Sequence, residues 1–305
     1  MSKSSLRTLA RDLTVAFRLV SRNVTSFAWA MFGILIVTAI MVGLLIFFVT
    51  IPIILTYGIQ FLVWLITLVE TSWTATSGTV LLGILFIIFL PLLLPVFVAL
   101  GALYGMAREI VESEGTSASG VFTWYRAKFL SLAGAGVLQF VLIVGPLMPL
   151  SYFVPDIIMG NITTEMMALI VMVIIVWVVF SSGFLSLTFP GVIDNLSVVK
   201  AARRSISLSR KHVDRVFGIW LTFILVFAFA ALPTILGVVF QWFSSIDNEI
   251  IIAYSILMLI LLLLVVLPAM SIAQTRAYLI LSAQSDQSFE PNHEADEFVR
   301  GGTYQ

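Results

Sequence analysis

Cysteine is absent from this chain, histidine occurs only as His212 and His293, and charged side chains make up 10% of the 305 residues. Without thiols there are no disulfides, no thiolate catalysis, no iron–sulfur clusters and no cysteine zinc sites, although the redox compartment stays open. Two histidines, one of them in a polar tail, argue against a histidine-rich metal site. The chain also lacks HExxH, GxSxG and GxxxxGK[ST], the short patterns of metallohydrolases, serine hydrolases and phosphate-binding loops. The expectation is a protein with no catalytic residue, no cofactor and no metal.

What the chain has instead is apolar length. Hydrophobic residues make up 60% of it and the mean hydropathy is +1.11, whereas a soluble domain carries about 45–50% apolar and about 25% charged residues. A soluble fold of this size could not bury that surface. The expected class is all-α, a polytopic transmembrane helix bundle. A helix needs about 20 apolar residues to cross the hydrocarbon, and six stretches free of Asp, Glu, Lys, Arg and His meet that length: 26–54, 79–107, 129–155, 166–193, 216–246 and 250–275.

Residues 55–69 prolong the first stretch up to Glu70 and raise the question of a seventh crossing. With six spans and an inner N-terminus, all 16 Lys and Arg residues lie on the cytoplasmic side, and the outer connections hold only Glu70, Asp156, Glu165, Asp247 and Glu249. A crossing at 55–69 would put Arg108, Arg126 and Lys128 outside, against the bias of short loops toward inner Lys and Arg. We therefore expect an outer-surface helix at 55–73, anchored by Tyr57, Trp64 and Trp73, and a multi-pass protein of the cell membrane with both termini cytoplasmic. The polar lead is too long for a signal peptide and no small-residue cleavage pattern follows it, so it is expected to stay attached. The end, 284–305, is polar and mildly acidic and reads as a flexible cytoplasmic tail.

Two basic amphipathic helices are expected at the inner surface. In 1–25, Leu6, Leu9, Ala10, Leu13, Phe17 and Val20 recur at helical spacing, with Arg7, Arg11, Arg18 and Arg22 on another face. In 196–212, Val198, Val199, Ala202 and Ile206 oppose Lys200, Arg204, Ser207 and Lys211. These basic residues are candidate lipid-headgroup contacts, and ordinary positive-inside anchoring is the plainer account of them. Ser21-Arg22-Asn23-Val24 before Phe27 and Trp29 resembles Ser209-Arg210-Lys211-His212-Val213 before Phe217 and Trp220, and Tyr125-Arg126-Ala127-Lys128-Phe129 is a weaker third copy. Returning spans carry Pro91 and Pro95, Pro190, and Pro268. Together these suggest three tandem hairpins, hence parallel rather than inverted repeats.

The run Phe189-Pro190-Gly191-Val192-Ile193-Asp194-Asn195, followed by Val198-Val199-Lys200-Ala201-Ala202-Arg203-Arg204-Ser205 and Leu208, resembles the inter-span signature of a largely archaeal family of uncharacterised six-span prokaryotic proteins. That family is related to the membrane domain attached to some glycerophosphodiester phosphodiesterases. The resemblance is specific around 189–217 and implies a membrane module without a known reaction.

Within the spans, ionisable side chains are absent, which argues against ion coupling and hydrolysis. Candidate kink or cavity residues remain: Pro91, Pro95, Pro233 and Pro268, whose missing N–H leaves a carbonyl free, and Gln139, Gln241 and Gln274. Interhelical hydrogen bonding also explains the glutamines and the Ser181-Ser182-Gly183 run with Ser186. Gly101 with Gly105, and Ala39 with Gly43, are candidate helix-packing pairs, within one chain or between copies. At the inner interface Asp194, His212 and Asp214 form the one set a catalytic reading could use; helix capping and charge balance are the plainer roles. Asn161-Ile162-Thr163 is a sequon in an outer connection. The expected function is a nonenzymatic membrane protein that organises lipids or partner proteins, such as an accessory subunit of a membrane complex. The competing expectation is a transporter or channel for a neutral or lipid-like solute. Expected partners are membrane lipids and a second copy or a membrane-complex subunit, with no nucleic acid.

Overall fold

The computed structural model describes residues 3–58, 60, 63, 64, 66, 67, 78–113, 116–153, 161–238 and 248–287. No strand occurs among them. Eleven α-helices follow in order: α1 Lys3–Arg22, α2 Val24–Tyr57, α3 Gly78–Ser113, α4 Ala118–Ala127, α5 Phe129–Val144, α6 Thr164–Leu185, α7 Thr188–Ile193, α8 Val198–Lys211, α9 Val213–Val238, α10 Asn248–Leu261 and α11 Leu267–Gln287. A 3₁₀ segment, Gly145–Phe153, prolongs α5, and a π turn, Leu262–Val266, joins α10 to α11. Among the described residues, six helical stretches are long and apolar enough to cross a membrane: Val24–Phe48, Leu90–Ser113, Phe129–Leu150, Thr164–Ile193, Val213–Leu236 and Glu249–Gln284. The protein is an all-α, multi-pass membrane protein. Gln241, most of the 55–73 segment and the tail from 288 lie outside the described residues; 284–287 continue α11.

A short helix meets a span at three joints of one kind. Asn23 (φ −116°, ψ 18°), Lys128 (φ −118°, ψ 17°) and His212 (φ −128°, ψ 47°) each leave helical geometry for a single residue. The hydrogen-bond ladder runs through each one. Lys128 N–H donates to the Trp124 carbonyl at 3.0 Å and the Lys128 carbonyl accepts from Leu132 N–H at 2.8 Å. His212 does the same with Leu208 and Val216, at 2.9 and 3.0 Å. Each joint turns the chain without orphaning a backbone group, a requirement beside lipid. At the second joint, Tyr125 donates to Met41 Sδ at 3.2 Å, and burial raises its hydroxyl above the ordinary phenol value.

Packing is uneven along the spans. In α2 the buried side chains end at Ile34, in α5 at Gly136 and in α9 at Phe223; in α3, among the side chains described from Leu90 onward, they begin at Pro95, in α11 they continue from Val266, and in α6, Ile170 apart, they begin at Gly183. Outgoing spans are thus buried where they start and returning spans where they finish, always the end that carries Arg22, Arg108, Lys128, Lys200, Arg215 and Arg276. α3 is the central helix: 56% of its apolar window is buried, against 22% or less in the other spans.

Small residues permit that packing. A Cβ on Gly101 would meet Leu132 Cδ2 at 2.6 Å, one on Gly183 would meet Phe217 at 2.7 Å, and Gly105 and Gly136 lie flush against the Trp124 and Phe97 rings. Without a hydrophobic force between helices in lipid, such close approach is what associates them. Ala39 and Gly43 take no part: both are exposed, and a Cβ on Gly43 would meet nothing within 4 Å.

Two surface helices differ from the sequence reading. The apolar face of α1 does not lie open for lipid; Ala16, Leu19 and Val20 are buried in the core, where α1 packs on α11 and α9. Arg7, Arg11, Arg18 and Arg22 stay exposed. In α8 the inward face is Ala201, Ala202, Ser205, Leu208 and Ser209, while Val199 is exposed. The reason for this rotated face lies in the fourth span, which is not one helix. Pro190 has no N–H for the Ser186 carbonyl and its ring would strike it, and the helix breaks at Ser186–Leu187. Ser205 Oγ donates to the freed Phe184 carbonyl at 2.7 Å and accepts from Leu187 N–H at 3.1 Å.

Candidate functional site

The break in the fourth span opens onto a cavity. About 210 Å³ in volume, it lies among α3, α5, α6, α7, α9 and α11. Leu100, Leu103, Ile143, Trp220, Leu267 and Met270 supply apolar wall, and Tyr104, Gln139, Ser182, Ser186, Ser271 and Gln274 the polar points. A sealed apolar cavity of ~150 Å³ holds benzene and drug-sized sites start near ~300 Å³, so this one suits a small or partly inserted guest. No Asp, Glu, Lys, Arg or His lines it.

Local structure positions each polar group. Gln139, one turn before Ile143 on α5, sends Nε2 to the Leu185 carbonyl at 2.9 Å, a second carbonyl freed by the α6–α7 break. Gln274 on α11 is 2% exposed; its Oε1 accepts from Tyr104 Oη at 2.6 Å, and its Nε2 has no partner among the described residues. Tyr104 stacks on Phe189 with centroids 5.5 Å apart and planes at 15°. The serines bond locally: Ser271 donates to the Pro268 carbonyl and Ser186 to the Gly183 carbonyl, both at 2.8 Å. Ser181 and Ser182 likewise turn back to their own helix, at Trp177 and Val178. The serine run therefore does not bond between helices, because a hydroxyl one turn from a helical carbonyl finds it first.

One turn from the cavity, toward the basic end, lies a charged floor. Arg108 Nη1 pairs with Asp194 Oδ1 at 3.0 Å and Arg108 Nε with Glu112 at 2.8 Å. Tyr278 Oη donates to Asp194 Oδ2 at 3.2 Å, and the Arg204 guanidinium lies 6.0 Å above the Tyr278 ring. Lys128 Nζ donates to Asn195 Oδ1 at 2.6 Å, holding the loop where Asn195 takes φ 63°. Asp194 does not cap the start of α8, where Ser197 stands at the N-cap; it ends α7 as the C-cap residue. A second charged cluster ties α1 down. Asp12, 2% exposed, is held by Arg215 Nη2 at 2.7 Å and Arg276 Nε at 3.5 Å. The sequence reading missed Asp12. Its signal was position: a carboxylate on the stripe of Leu9, Leu13, Ala16 and Val20.

The structure brings Gln139 and Gln274 together and leaves the other candidates apart. Pro268 is buried beside the cavity, next to lining residues Leu267, Met270 and Ser271. Its missing N–H faces the Leu262–Val266 π turn, the slack that a proline demands of the preceding turn. Pro91 is exposed, Pro95 buried away from the cavity, and Pro233 half-buried within α9. Lys200 is exposed on α8. Lys211 joins Arg210, His212, Asp214 and Arg215 in an open recess near Thr8 and Gln284. Asp194 is absent from that recess, so the set Asp194, His212 and Asp214 does not converge. Compared with protein-family models, with curated proteins and with solved structures, the chain matches none.

Proposed function

We propose that this multi-pass membrane protein acts without bond-making chemistry, holding one neutral, lipid-like molecule in the cavity between α3, α5, α6 and α11. The observation that carries this is the cavity itself: about 210 Å³, apolar-walled, with no ionisable carboxylate, amine or imidazole on its lining. The resemblance of residues 189–217 to a noncatalytic six-span module supports the same reading, since that segment supplies the cavity's Phe189 and Trp220 lies just beyond it. The basic end is the cytoplasmic end in this proposal, and the exposed Arg7, Arg11, Arg18, Arg22 and Lys200 meet anionic headgroups there. A lipid held at the bundle's centre and lipids gathered at its basic rim make the protein an organiser of its surroundings.

The test is native mass spectrometry of the protein extracted in mild detergent. Wild type is expected to carry a neutral adduct that Ser186→Phe, which fills the cavity, does not carry. Equal adduct on both proteins overturns the reading. A transport reading draws on one observation, the π turn beside Pro268 at the cavity wall, since such turns often mark moving sites. It calls for protein-dependent flux of a neutral solute across liposomes.

A further inference from the structure

Resting on the cavity reading, we infer that the guest carries a hydrogen-bond acceptor oxygen, a carbonyl or a hydroxyl, and that Gln274 Nε2 is the donor that receives it. Gln274 lines the cavity and is 2% exposed. Its amide is half used: Oε1 is taken by Tyr104 Oη at 2.6 Å, and Nε2 has no partner among the described residues. A buried amide N–H left unpaired carries its full desolvation penalty, so an occupant that offers it an oxygen is favoured over one of equal size that cannot. In this structure the amide is turned with Oε1 toward the Tyr104 hydroxyl. With Oε1 held by the hydroxyl, the free end is the donor, and Tyr104 is itself held by stacking on Phe189.

The rest of the lining sets the remainder of the guest. Leu100, Leu103, Ile143, Trp220, Leu267 and Met270 offer nothing polar to it except the indole N–H, which is spent on the Val179 carbonyl at 3.3 Å. Gln139 Nε2 is committed to Leu185. The nearest charges, Arg108 and Asp194, satisfy each other. A charged headgroup therefore has no counter-ion in the cavity, while a neutral chain with one oxygen fits. Scaled from benzene in ~150 Å³, the volume takes roughly eight to ten heavy atoms, the oxygen-bearing end of such a chain.

The probes are 2-octanone and nonane, equal in heavy atoms and differing in the carbonyl. Thermal unfolding of the full chain in detergent is followed at equal micellar mole fraction of each. Wild type is expected to be stabilised at about tenfold lower 2-octanone than nonane, and Gln274→Met to respond to both alike. Should Gln274→Met fail to fold, the carbonyl resonance of ¹³C-labelled 2-octanone on wild type decides instead, with a downfield shift expected from the bilayer value. Equal response of wild type to both probes, or an unshifted carbonyl, overturns the donor assignment and leaves the cavity reading standing. If neither probe stabilises wild type more than Ser186→Phe, the cavity reading falls with it.

Discussion

The two halves of this bundle are built by different means. Toward the basic end, helices touch through glycines, two charged clusters cross-link them, and the cavity sits inside. Toward the other end, α2 beyond Ile34, α6 before Gly183 and α9 beyond Phe223 expose large apolar side chains, among them Phe48, Met172 and Phe229. In water the second half would be unstable. In hydrocarbon it loses nothing, because lipid tails solvate Leu and Phe as well as another helix does. Association there needs small residues or polar partners, and the described residues of that half supply few: a Thr234–Ser255 bond at 2.8 Å, a Tyr254 bond to the Ala230 carbonyl at 3.2 Å and a Trp177 indole bond to the Ile143 carbonyl at 2.8 Å.

The largest test of this contrast is Asp12→Asn. It leaves Arg215 and Arg276, 15% and 20% exposed, sharing an uncharged amide, and removing one partner of a buried ion pair costs about 3–5 kcal/mol. We expect loss near the lower bound, since both guanidinium groups reach some solvent, read as a fall in chaotrope midpoint and in folded yield. An unchanged midpoint would mean that α1 is not fastened by this cluster.

Next comes a matched pair. Gly136→Leu drives a side chain into Phe97, and overpacking costs about 1–3 kcal/mol. Gly43→Leu meets open space within the chain and should change stability by about 0.5 kcal/mol or less. Equal losses in thermal unfolding would erase the distinction between the halves. Ser205→Ala should cost about 1–2 kcal/mol, because Ser205 is fully buried, the Leu187 N–H loses its partner and the Phe184 carbonyl keeps only the longer bond from Ser209 Oγ at 3.4 Å. Hydrogen exchange at Leu187 should rise in that variant; protection unchanged would show the break is held by other bonds.

Much of this was readable beforehand, and what was not has a physical cause. Uncharged length located the spans, and two of the glutamines, Gln139 and Gln274, line the cavity. The α8 face was misread since Ser205 and Ser209 look like solvent residues, whereas a broken neighbouring helix gives them carbonyls to bond. Arg108 and Asp194 meet across 86 positions, and no local pattern encodes that. Tyr104 and Gln274 likewise meet across 170 positions.

The smallest expected effect falls in the splayed half. Phe229 is 70% exposed and Phe229→Leu keeps a lipid-soluble side chain there, so the unfolding midpoint should shift by no more than about 0.5 kcal/mol. Lipid on both sides of the substitution makes the two proteins equivalent. A larger loss would mean that this surface packs against protein, and the same variant then separates a second copy from a foreign subunit. With a second copy, the loss scales with protein concentration in the micelle and vanishes on dilution. With a foreign subunit, the purified chain shows no loss at all and the defect appears only in membranes.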